Sequence, residues 1–190
     1  MDIRERQAPL RERYTNDPAS AIERLVVHGG HADLSDPLHV EIGPDRLPDV
    51  TWRSGAHPAV GGDHDAPCSG DLLLGALAAC QEVTLRMVAA NMGIEITALD
   101  IDVEADWDAR GTLAMGREFP VGIRAIRCRT NVTIADDERG ERAQRLLRSA
   151  ERYCVVLDTL VGIGHDAVSS SDVCADVRAY TIRTRDGAIN

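Results

Sequence analysis

The run SGDLLLGALAACQEVTLRMVAANM, from Ser69 to Met92, constrains the fold more than any other feature of the chain. Ser69 is a plausible N-cap, Asp71 lies in the first turn where the helix dipole favours a carboxylate, and Gly93 is a natural stop. These signals predict one long central helix. Leu73, Leu77, Cys80, Thr84 and Met87 recur at three- and four-residue steps, with Ala76, Val83 and Val88 alongside, which gives a broad apolar face carrying Cys80 near mid-helix. One small sheet is too little to cover that face, so a second copy of the chain is expected to help.

The segments around the helix alternate. Leu99, Ile101, Val103, Ala105 and Trp107 stand against Asp100, Asp102, Glu104 and Asp106, the pattern of a half-buried antiparallel strand. Ile126, Cys128, Thr130, Val132 and Ile134 alternate with Arg127, Arg129, Asn131 and Thr133, so the basic face of this strand can pair with the acidic face of the other. Cys128 then reads as core. A second helix is expected after Asp136 and Asp137, with Ala143, Leu147, Ala150 and Cys154 on one stripe. A last strand follows through Val173, Ala175, Val177 and Ala179.

Towards the N-terminus the signals are weaker. Ala21 to Val27 and Leu38 to Ile42 read as short strands, and Gly43 to Pro67, rich in Gly, Pro, Asp and His, reads as loop. Residues 1–20 are charged and carry Pro9 and Pro18, which suggests an irregular arm or a short helix. The expectation is an α+β protein with an N-terminal arm (1–20) and a single domain (21–190), its antiparallel sheet packed with the long helix and a second, cysteine-bearing helix.

Composition narrows the function. A net charge of -10 without a contiguous basic block disfavours nucleic acid. Every basic residue is arginine, which excludes Schiff-base, pyridoxal-lysine and P-loop-lysine chemistry. The start lacks an apolar leader, and Leu72 to Cys80, the longest apolar stretch, is shorter than the roughly 20 residues of a membrane span. A cytoplasmic protein without membrane attachment is expected. Cys68, Cys80, Cys128, Cys154 and Cys174 are an odd set without CxxC, so each is either a packing residue or a reactive thiol rather than part of a disulfide framework. His28 and His31 are spaced HxxH, and His57, His64 and Cys68 share a loop. Turn and surface histidines explain both groups, and neither a metal nor another cofactor is expected.

The central run is similar to the cysteine-bearing helix of the OsmC/Ohr family, with Cys80 in the place of that family's first cysteine, and SAERYCVVLDTL resembles its second cysteine segment, with Cys154 in the partner position. With Gly61-Gly62-Asp63 and the strand order, the likeness runs from about Ala21 to the C-terminus. Val155 stands where the family usually has proline, Gly29-Gly30-His31 where the hydroperoxidase branch has Gly-Gly-Arg, and Gly70 where that branch has glutamate. Cys-Ser-Gly-Asp and Arg-Tyr-Cys-Val-Val resemble a less studied branch instead.

The resemblance implies an intertwined homodimer and thiol-dependent reduction of organic hydroperoxides or hydrogen peroxide in oxidative stress. It implies that the first cysteine attacks peroxide as thiolate, that the second closes a disulfide on the resulting sulfenic acid, and that a dithiol reductant restores the pair. A thiol in an apolar mid-helix stripe ionises reluctantly. The family supplies an arginine held by an acid; Arg24 and Arg53 are the candidates here, with Asp71 as the acid. The alternative is a non-catalytic dimeric protein of the same fold that binds a hydrophobic ligand or senses electrophiles.

Overall fold

The computed structural model describes residues 2–30, 33–135, 140–166 and 179–180. Their contacts fall into two compact units, Met1–Leu73 and Leu74–Asn190.

In the first unit, helix α1 (Ile3–Asn16) starts on Asp2, whose carboxylate accepts the Arg4 N–H at 2.8 Å, and it accommodates Pro9 while burying no residue. Strands β1 (Val27–Gly29), β2 (His39–Pro44) and β3 (Trp52–Gly55) form an antiparallel meander. Two expectations need correction. Of Ala21–Val27 only Val27 is in a strand, and the stretch Gly43–Pro67 contains both β3 and a 3₁₀ turn, Pro58–Val60. Four residues between turn-forming neighbours give too short a pattern to see, but pairing with β2 (Glu41 opposite Arg53, Ile42 opposite Trp52) supplies the missing hydrogen bonds. The chain then folds back tightly: a Cβ on Gly62 would collide with the Ala56 carbonyl.

Helix α2 (Ser69–Met92) has the expected bounds. Its cap lies one residue earlier than expected. The Leu72 N–H donates to the Cys68 carbonyl at 3.0 Å and the Cys68 N–H donates to Asp71 Oδ2 at 2.8 Å, so Cys68 is the N-cap and Asp71 reaches back as in a capping box. At the other end Gly93 takes φ 64°, and the Ile94 and Gly93 N–H groups bond the carbonyls of Ala89 (2.9 Å) and Ala90 (3.2 Å). This is a Schellman stop, for which glycine avoids the left-handed penalty.

The second unit holds a sheet in the order β4 (Ile96–Asp106), β5 (Ala125–Ile134), β6 (Ala179–Tyr180), with β4 and β5 antiparallel and β6 parallel to β5. A short helix α3 (Ala109–Thr112) lies between β4 and β5, and α4 (Glu141–Tyr153) and α5 (Val155–Asp166) follow β5. The expected charge pairing across the hairpin is present: Arg127 bonds Glu104 at 2.7 Å and Asp106 at 2.6 Å, and Arg129 bonds Glu104 at 3.1 Å. Of the predicted last strand, Val173, Ala175 and Val177 lie outside the described residues, as do Cys174, Asp136 and Asp137.

Two apolar clusters fill this unit. One joins Leu85, Ala89 and Ile94 to Val132 and Ile134 of β5 and Ala143, Leu146, Leu147 and Ala150 of α4. The other joins Leu77 to Ile126, Cys128, Cys154 and Leu157, with Cys80 packed against it. The buried stripe of α2 is therefore Leu77, Gln81, Leu85 and Ala89, rotated from the predicted one. Val83, expected inside, is 54% exposed. A helix apolar nearly all round gives periodicity no means of choosing its inner face. By length and composition α2 would also suffice to cross a membrane, but its Leu77–Ala89 stripe packs as a core helix.

Candidate functional site: a cysteine pair at a helix N-terminus

Cys154 occupies the single residue between α4 and α5 and is fully buried. Its backbone is extended (φ -80°, ψ 104°), and its carbonyl accepts the Asp158 N–H at 3.0 Å, the first bond of α5. Cys154 is thus the N-cap of α5. The next N–H groups, of Val155, Val156 and Leu157, have no partner within their own helix and form the positive end of its dipole. Periodicity ends the second helix at Cys154 and leaves α5 unseen, since Val155-Val156 favours strands and Gly162 and Gly164 weaken a helical pattern.

Cys80 comes to this end from α2. Its half-buried sulfur lies 4.0 Å from Thr84 Oγ1, one helical turn on, and packs against the cluster that holds Cys154, where the Cys154 thiol and the Val156 and Val155 N–H groups favour its ionised form. Burial pushes the Cys80 thiol up, but these donors together outweigh it, so Cys80 ionises below the ordinary thiol range. Cys154 goes the other way. Burial, and then the negative charge and hydrogen bond demand of Cys80, hold it up at about 11, opposed by the Leu157 and Val156 N–H groups. Both sulfurs are free thiols. The two thiols are thus driven apart in acidity, Cys80 downward and Cys154 upward.

The other candidates sit in the first unit. Arg53 Nη2 bonds Asp65 Oδ2 at 2.7 Å, and Asp65 also accepts from His39 Nε2 at 2.8 Å while His39 Nδ1 meets Asp36 at 2.7 Å. The acid that holds Arg53 is therefore Asp65. Asp71, the acid expected for that role, is engaged at the Cys68 cap, and its carboxyl is lowered chiefly by the Cys68 N–H. Arg24 is exposed. Part of the positive charge expected beside Cys80 comes from the α5 N-terminus, which no pattern in the sequence marks. Val155 matters here: proline in its place would have no N–H to offer.

Cys128 is buried in the sheet and raised by that burial, as expected of a packing residue, against the opposing effect of the nearby Thr130 hydroxyl. Among the described residues no group of three or more His, Cys, Asp or Glu could hold a metal ion. His28 instead meets Asp45 at 3.1 Å, and His57 Nδ1 accepts the Ala59 N–H at 3.0 Å.

An α+β chain with a long cysteine-bearing core helix, and a second cysteine facing it from a helix junction, defines a class of small dithiol proteins. The sequence matches the family of OsmC-like proteins over residues 62–165, and the chain belongs to that family. Similar solved structures include an OsmC-like protein of Mycoplasma pneumoniae (TM-score 0.62, 15% identity, covering 85% of this chain and 97% of that one). An organic hydroperoxide resistance protein of Elizabethkingia anophelis gives TM-score 0.59 at 12% identity, covering 86% and 98%, and one of Legionella pneumophila gives 0.55 at 15%, covering 74% and 91%. Comparison with curated proteins gives no significant match. At these identities the likeness establishes the OsmC-like fold.

Proposed function

We propose that the chain is a thiol peroxidase that reduces organic hydroperoxides or hydrogen peroxide through Cys80 and Cys154. The observation that carries this reading is the contact of two free thiols whose acidities are driven apart, Cys80 down and Cys154 up. The Cys80 thiolate attacks the distal peroxide oxygen; the O–O bond breaks and the alcohol or water leaves with a proton. Cys80 is then a sulfenic acid. Cys154 attacks its sulfur, the S–O bond breaks, and the leaving hydroxide takes the thiol proton as water. An external dithiol then reduces the disulfide. A cytoplasmic location, where dithiol reductants are abundant, fits this cycle. The hydroperoxide resistance proteins among the structural neighbours support the choice of substrate class.

The test is a pair of variants. Cys80→Ser abolishes peroxide consumption, and Cys154→Ser leaves one turnover ending in a sulfenic acid that a dimedone probe traps. Equal activity in wild type and Cys80→Ser would end the peroxidase reading.

The alternative is a non-catalytic dimeric member of the fold that binds an apolar ligand or senses electrophiles. The uncovered Val83 on the apolar helix α2 favours a dimer under either reading. The readings part on turnover: with an added dithiol a peroxidase consumes many equivalents of peroxide per chain, whereas a binding protein consumes none and a sensor no more than its own thiols can reduce once.

A further inference from the structure

Gln81 and Thr130 are buried to 1% and 0% exposure, and among the described residues, apart from the Cys128 thiol whose acidity the Thr130 hydroxyl influences, neither the Gln81 amide (Nε2 and Oε1) nor Thr130 Oγ1 has a hydrogen-bond partner. Such groups ordinarily find protein or ordered water, because an unmade bond in the interior leaves the whole desolvation cost uncompensated.

Their place in the core is particular. Along α2, Leu77 belongs to the cluster with the cysteine pair and Leu85 to the other cluster, and Gln81 lies between them. Along the inner face of β5, Cys128 belongs to the first and Val132 to the second, with Thr130 between. The same change falls between Ala150 of α4 and Cys154. Helix and strand thus each put a polar side chain at the level where the two apolar clusters meet. A carboxamide and a hydroxyl together offer donors and acceptors enough for an internal water, which needs two to four polar partners.

Helix α2 has a reason to need such a group. Its apolar residues run round the helix, and the outward stripe through Val83 could compete with Leu77, Leu85 and Ala89 for the inner face. A buried polar side chain that is satisfied in one arrangement alone breaks that degeneracy, as a single polar residue fixes register in a coiled coil. Cys80 precedes Gln81 and is offset from it by about 100° around the helix. Fixing Gln81 inward therefore fixes the direction of the Cys80 sulfur.

We propose that Gln81 and Thr130 bind internal water at the junction of the two clusters, and that this hydrated contact sets the rotation of α2 that brings Cys80 to Cys154. Gln81 is a positioning residue in this scheme. The water site stands by itself; the positioning role rests on the cysteine pair being the reacting centre.

The experiment compares wild type with Gln81→Met, Thr130→Val and Thr130→Ser. Long-lived internal waters are counted by ¹⁷O relaxation dispersion, and closure of the Cys80–Cys154 bond is followed with diamide, which accepts the two thiol hydrogens and needs no peroxide reactivity. Gln81→Met and Thr130→Val should each lose at least one internal water and close the disulfide about tenfold or more slowly. Thr130→Ser, which keeps the hydroxyl, should retain both properties. Should Gln81→Met fail to fold, the Val and Ser variants at Thr130 still decide. An unchanged water count in Thr130→Val overturns the site, and unchanged closure in Thr130→Val overturns the positioning role. Failure of peroxide turnover with these results intact would count against the peroxidase reading alone.

Discussion

The two thiols differ because one residue step changes what each can touch. Cys154, capping α5 from inside the core, is held at about 11 by burial and by its neighbour. Because that value is raised, the stability gained by keeping the neutral thiol buried is full below the ordinary thiol pKa and is lost as pH rises towards and through about 11. Cys80 is lowered, so its contribution is present above the ordinary thiol pKa and is lost as pH falls through its folded value. Iodoacetamide alkylation read residue by residue should label Cys80 at lower pH than Cys154. Reversal of that order would remove the basis for naming Cys80 the nucleophile. Cys128→Ser should act on packing alone, leaving peroxide turnover unchanged while thermal stability falls. Val155→Pro isolates the backbone: proline fits the first position of a helix but removes one donor to Cys80. Its Cys80 alkylation profile should move to higher pH, with the far-UV spectrum preserved.

Among the elements, those with long alternation or firm caps were legible in the sequence. The α2 bounds follow from its cap and from Gly93, and the β4–β5 hairpin from its opposed acids and arginines. What could not be read was set by tertiary contact. β3 depends on its pairing to β2, the inner face of α2 depends on what it packs against, and α5 starts only because Cys154 turns the chain. The cysteine pair itself was readable from its two segments, whereas the N–H donors beside it were not, since their helix was unseen. The β2–β3 unit carries its own test. His39 lies between Asp36 and Asp65, and Asp65, held down to about 2, also binds Arg53. The His39 imidazole is raised, first by Asp36 and then by Asp65. Its stabilising effect is therefore full below the ordinary histidine pKa and lost as pH climbs through the folded value. Asp65→Asn should bring the His39 titration, followed by NMR, down towards the ordinary range; no movement would mean that the pairing is absent in solution.

At the scale of the whole molecule, a second copy of this 20.6 kDa chain is the cover proposed for the outward Leu73 and Val83 of α2. Light scattering at micromolar concentration should give twice that mass, and a monomer would contradict the proposed dimer. Whether Cys80 and Cys154 form one redox unit is read most directly by peptide mapping after one equivalent of cumene hydroperoxide per chain. Two thiols per chain should be lost and a Cys80–Cys154 disulfide should form within one chain, with Cys68, about three helical turns from Cys80, still free. Retention of every thiol, or a covalent dimer through Cys68 on a non-reducing gel, would contradict it.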